Sequence, residues 1–117
     1  SSDDLSKTSH YWEAWNSYIF SKLEGNADLD NDGIYESSFT YHTGRDDMYR
    51  TLNFTKDLSI VSDSDTKVGF NLDVKKLLVN ANNEALDIVL HPDSHTPSQI
   101  GTATIIMDNY QNAISLQ

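Results

Sequence analysis

The chain has no cysteine among its 117 residues, which excludes disulfides, thiolate zinc sites, iron–sulfur clusters and a cysteine nucleophile together. It has only eight Lys and Arg against eighteen Asp and Glu, a formal net charge of -10. That balance opposes the basic footprint needed to neutralise phosphates or hold an anionic bilayer, and so argues against nucleic acid and membrane-surface partners. No run approaches the ~20 apolar residues of a transmembrane helix, and no charged-then-apolar leader opens the chain. The start, Ser1-Ser2-Asp3-Asp4, is polar and reads as a mature, trimmed or engineered end.

What is present suits a folded domain. Hydrophobic residues make up 38% of the chain and charged ones 22%, with two tryptophans, six tyrosines and four phenylalanines. That is enough apolar surface to offset chain entropy in one domain spanning 1–117. An excess of carboxylates also favours hard cations and raises their local concentration.

Along the chain, residues 1–9 are polar and aperiodic and read as a loop. Trp12, Trp15, Ile19 and Leu23 fall at helical spacing, but Ser17 to Glu24 is rich in strand formers. The reading is an aromatic turn followed by a strand. Gly25 to Gly33, dense in Asn, Asp and Gly, reads as a loop. Ser38–His42, Tyr49–Phe54, Leu58–Val61 and Lys67–Val74 are short, β-branched or aromatic and separated by turn residues, as in a sandwich or barrel. In the last of these, Val68, Phe70 and Leu72 alternate with Lys67, Gly69, Asn71 and Asp73, which predicts one buried and one wet face.

Asp73 stands as an N-cap before Val74 to Leu78, one or two helical turns. After Pro97, the residues Ile100, Ala103, Thr104, Met107 and Tyr110 recur at helical spacing and predict a C-terminal helix despite Gly101. The expected fold is mainly β, antiparallel and sandwich-like, with short helices near the C-terminus.

Three groups of residues have chemistry to offer. Asp28, Asp30 and Asp32 alternate ahead of Gly33, with Glu36 downstream. Alternation turns carboxylates toward one hard cation while glycine permits the bend, so calcium is a candidate ligand. An EF-hand is excluded, because Phe39 occupies the position where that loop needs its bidentate Glu. A solvated acidic turn between two strands is the other reading.

The four histidines are His10, His42, His91 and His95. Several imidazoles converging on one point favour copper or zinc over calcium. His91 and His95 have a helical ligand spacing, but Pro92 opposes a helix there, and exposed loop histidines are the alternative. His42 ends a strand, where a rigid element can aim it; a half-buried histidine bonded to a backbone carbonyl competes with that reading. Trp12 and Trp15, near Tyr11 and Tyr18, read first as core, although an indole beside a metal can tune access and potential. No nucleophile elbow, HExxH helix or phosphate-cradling glycine loop is present, so nothing names a reaction and a non-catalytic protein is expected.

Four blocks in order resemble the MbnP family: Tyr11-Trp12-Glu13-Ala14-Trp15-Asn16-Ser17-Tyr18-Ile19-Phe20-Ser21-Lys22-Leu23-Glu24-Gly25, then Phe39-Thr40-Tyr41-His42-Thr43-Gly44, then Val68 to Leu78, and finally His95 to Asn109. The chain departs from the family pattern in spacing its tryptophans by two residues instead of one, and in placing Ser17 near a family glycine. Asp28 to Glu36 looks like an insertion in a variable loop.

The resemblance implies a bacterial β-rich secreted protein or lipoprotein that binds copper in the periplasm or at the outer surface, often encoded beside a di-haem peroxidase-like partner. It implies His42 as a copper ligand with His95 or His10, beside an aromatic wall containing Trp12 or Trp15, one of which is oxidised to kynurenine in some members. It also implies that the chain is part of a larger β domain, whose N-terminal half of strands lies outside this sequence and could be present as another chain.

Overall fold

The computed structural model describes residues 9–117, so the expectation of a loop over 1–9 lies almost wholly outside it. The centre of the fold is a long antiparallel hairpin. Strand β1 (Tyr11–Trp12) turns through residues 13–16 into β2 (Ser17–Ala27), which pairs along its length with β3 (Ser37–Gly44). The aromatic turn and following strand are therefore found as expected. The ladder slips between Ile19 and Ser21, a bulge that lets Ile19 face Gly44 while Ser21 faces Thr43.

The expected loop over Gly25 to Gly33 starts later than the sequence suggested, because Gly25, Asn26 and Ala27 complete β2. Gly25 is tolerated there because the Phe39 ring lies over it: a Cβ on Gly25 would stand 2.8 Å from Phe39 Cζ.

The two faces of this hairpin differ. Phe39 and Tyr41 point inward and form a core with Leu86, Ile88 and Ile106, to which Leu23, Ala27, Leu78 and Tyr110 add partly buried surface. The helix α1 (Ile100–Ala113) covers that face with Ala103, Ile106, Met107 and Ala113, a helical period close to the one expected. A second cluster of Trp15, Met48, Ala103 and Met107 lies beside it, and Tyr110 packs against both.

Three further strands complete the first sheet and make a second. Strand β5 (Asp93–Ser94) lies parallel to β3, so the four-stranded sheet runs β1-β2-β3-β5. Strand β4 (Phe70–Leu72) pairs antiparallel with β6 (Ile114–Leu116). The mainly β expectation holds, with one short parallel pairing. Asp73 caps the short helix Val74–Leu77 as expected, accepting the Lys75 backbone N–H at 3.1 Å.

The segments Tyr49–Phe54 and Leu58–Val61 were expected as strands and are not strands. Ile60 is 84% exposed and Val61 62%. β-propensity reflects packing on a pleated surface, and among the described residues no neighbouring strand offers these segments a ladder. Lys67–Val74 is likewise reduced to Phe70–Leu72, and its alternation does not produce a buried face: Phe70 is 53% exposed and Leu72 48%. Among the described residues its sheet has two strands, so the side chains gain a ladder but little cover.

Candidate metal centre

Alternation along β3 sends Phe39, Tyr41 and Thr43 to the core face and Thr40 and His42 to the other. A side chain on that second face should be wet, as Lys22 and Glu24 are on the facing strand. His42 is instead only 4% exposed. It is covered by two rings brought from other elements: Trp12 at 4.5 Å between ring centroids and nearly perpendicular, and His95 at 4.8 Å. Trp12 also meets His95 edge to face at 5.4 Å, closing a three-ring cluster.

The backbone explains why His95 arrives there. Thr40 and Tyr41 stand opposite Asp93 and Ser94, so the parallel pairing delivers His95 alongside His42. Three bonds fasten this segment to β3. The Tyr41 hydroxyl donates to the His91 carbonyl at 2.6 Å, the Thr40 N–H donates to the Pro92 carbonyl at 2.9 Å, and the buried Ser94 hydroxyl donates to the His42 carbonyl at 3.0 Å. Gln99, at the start of the C-terminal helical segment, then holds the His95 backbone. Its Oε1 accepts the N–H of His95 at 2.7 Å and of Thr96 at 3.1 Å, and its Nε2 donates to the Asp93 carboxylate.

Buried polar nitrogens nearly always find a partner, yet His42 Nδ1 and His95 Nε2 are buried with none among the described residues. The other nitrogen of His42 is bonded: Nε2 lies 2.6 Å from Glu24 Oε1. Hydrogen bonding to His42 holds the Glu24 carboxyl below the ordinary carboxylate range, assisted by charge from His42, Lys22 and His95 and opposed by desolvation. A buried imidazole nitrogen without a partner can offer a lone pair to a metal when the ring's proton sits on the other nitrogen. Two of them in neighbouring rings fit a borderline or soft transition ion such as copper better than a hard cation.

Trp12 belongs to the ring cluster and also packs against the second core cluster, whereas Trp15 is buried within that second cluster among Met48, Ala103 and Met107, its indole N–H unpartnered among the described residues. His10 is exposed at the start of β1, where its carbonyl accepts the Ile19 N–H at 2.7 Å. His91 is exposed in its loop, so the His91 and His95 spacing is not a ligand pair on a helix. Glu24, Ser94 and Gln99 were not singled out from the sequence. Only strand register shows that Glu24 shares a face with His42, and only the parallel pairing shows what Ser94 holds, whereas Gln99 closes a capping box with Thr96, a local Thr-x-x-Gln signal.

At a distance from this cluster, carboxylate oxygens of Asp28, Asp30, Asp32 and Glu36 lie within 4.8 Å of one another. The turn is already supported from within. Asp28 accepts the N–H of Asp32 at 3.2 Å and of Gly33 at 2.8 Å, Asp32 accepts that of Ile34 at 2.7 Å, and Gly33 has φ of 89°.

Among the described residues, no helix is long and apolar enough to cross a membrane. No curated protein and no solved structure matches the chain significantly. The MbnP family model does match, over residues 1–100, a span that includes Trp12, Glu24, His42 and His95. With that match covering most of its length, the chain belongs to the MbnP family.

Proposed function

We propose that the chain is a non-catalytic copper-binding protein of the periplasm or outer surface, with His42 and His95 as the protein's copper ligands and Trp12 as the wall over them. The observation that carries this reading is the pair of buried, unpartnered nitrogens, His42 Nδ1 and His95 Nε2, in rings 4.8 Å apart. Zinc generally asks for four tetrahedral ligands, whereas Cu(I) accepts low coordination numbers, so two imidazoles beside an indole favour copper. Trp12, in contact with both histidines, is the tryptophan to which the resemblance-implied oxidation to kynurenine is assigned. A di-haem peroxidase-like partner is a reading that rests on the family resemblance.

The test is competition of the purified protein with a chromophoric chelator for Cu(I) and Cu(II). One equivalent should bind tightly to the wild type, and His42→Ala and His95→Ala should each weaken binding by more than the ten- to hundredfold typical of losing an outer partner. Unchanged binding in both variants sinks the reading. Intact mass of the isolated protein reports separately whether Trp12 is modified.

The converging carboxylates of Asp28, Asp30, Asp32 and Glu36 favour a second reading, a calcium-stabilised surface module that recognises a glycan or protein. A calcium ion there would stabilise the hairpin turn by binding the folded state alone. Thermal melts separate the two: a rise in Tm with calcium and none with copper supports the calcium module, and the reverse supports the copper protein.

A further inference from the structure

Resting on the copper reading, we infer that Glu24 is a positioning residue, which holds His42 by its Nε2–H and so leaves Nδ1 as the nitrogen that meets the metal. A neutral imidazole has one N–H and one lone pair, and whichever nitrogen donates a hydrogen bond leaves the other to bind. An ionised carboxylate only accepts, so the 2.6 Å contact between Glu24 Oε1 and His42 Nε2 places the proton on Nε2. The lone pair then sits on Nδ1, the nitrogen that is buried without a partner.

The backbone makes this pairing possible. Lys22 stands directly opposite His42 in the ladder and Glu24 opposite Thr40, so Glu24 approaches the imidazole along the diagonal on the same face. Its side chain is 57% exposed and forms the solvent edge of the site, while the ring it holds is buried. A histidine kept only for packing would be expected to satisfy both ring nitrogens. Here one bond fixes the ring plane and the second nitrogen is buried without a partner among the described residues, in a ring that lies against those of His95 and Trp12. Carboxylates behind ligating histidines set tautomer and orientation in this way and raise ligand basicity.

Two readouts test this, on the metal-free protein and on its copper affinity. Long-range proton–nitrogen-15 correlation spectra of the metal-free wild type should show His42 with its proton on Nε2. In Glu24→Ala the population should move toward the Nδ1–H form, and Cu(I) affinity should fall by about ten- to hundredfold, with little change in Tm. Glu24→Gln keeps a carbonyl acceptor and should restore part of both; it also serves if the alanine variant fails to fold. A metal-free wild type with the proton on Nδ1, or a Glu24→Ala affinity within about twofold of wild type, overturns the inference. The tautomer is read without metal, so failure of His42→Ala and His95→Ala to weaken copper binding would count against the copper reading and not against the Glu24 bond.

Discussion

Ser94 donates its buried hydroxyl to the carbonyl of His42 at 3.0 Å, and this bond ties the segment that carries His95 to the strand that carries His42. With the Tyr41 and Thr40 bonds to His91 and Pro92, it makes the site a product of a short parallel pairing and not of any local motif. The metal-binding reading depends on that pairing.

Trp12 and Trp15 should respond in opposite ways. Trp12 lies against both imidazoles, so in protein whose intact mass shows an unmodified indole, Trp12→Phe should remove most of the fluorescence quenching caused by copper while costing less stability than loss of Trp15. Trp15 is 3% exposed in the core, and Trp15→Ala should cost about 3–5 kcal/mol with quenching retained in whatever fraction folds. Urea melts and copper titrations of the two variants decide the assignment.

Gln99 holds the backbone of His95 through its amide oxygen and Asp93 through its amide nitrogen. Gln99→Ala should therefore loosen His95 and lower Cu(I) affinity by about tenfold, as loss of a supporting partner does, without removing a ligand. Chelator competition reads the affinity. The helix content by circular dichroism should be nearly unchanged.

Tyr41 is fully buried, and burial pushes its hydroxyl up to about 12, with the Asp93 and Asp87 carboxylates adding to the effect. Because the folded value lies above the ordinary value of 10, the native state holds this proton after the unfolded chain has lost it. The stability it contributes is full below about pH 10 and lost as pH rises toward about 12. Tyr41→Phe should flatten that alkaline fall in denaturation midpoint and, at neutral pH, cost about 1–3 kcal/mol by leaving the His91 carbonyl without its donor.

The sequence showed local features well and pairings poorly. The turn into Ser17, the Asp73 cap and the helix after Pro97 rest on neighbours in the chain, and all three are present. Tyr49–Phe54, Leu58–Val61 and most of Lys67–Val74 have strand-forming residues, but ladders need partners that local pattern cannot supply. The site divides the same way. His42, His95 and Trp12 could be nominated by residue type and family resemblance, whereas choosing Trp12 over Trp15 required seeing which indole the hairpin lays on the histidines. Glu24 was hidden for the same reason, since a shared face depends on register.

The central claim is that His42 Nδ1 and His95 Nε2 are the nitrogens that take copper, and nitrogen-15 spectra of the histidine rings during Cu(I) titration test it most directly. The expected result is a large shift, complete at one equivalent, at Nδ1 of His42 and Nε2 of His95, with the His91 ring unmoved. Shifts confined to His10 or His91, or none at His42 and His95 while copper is bound, would contradict it.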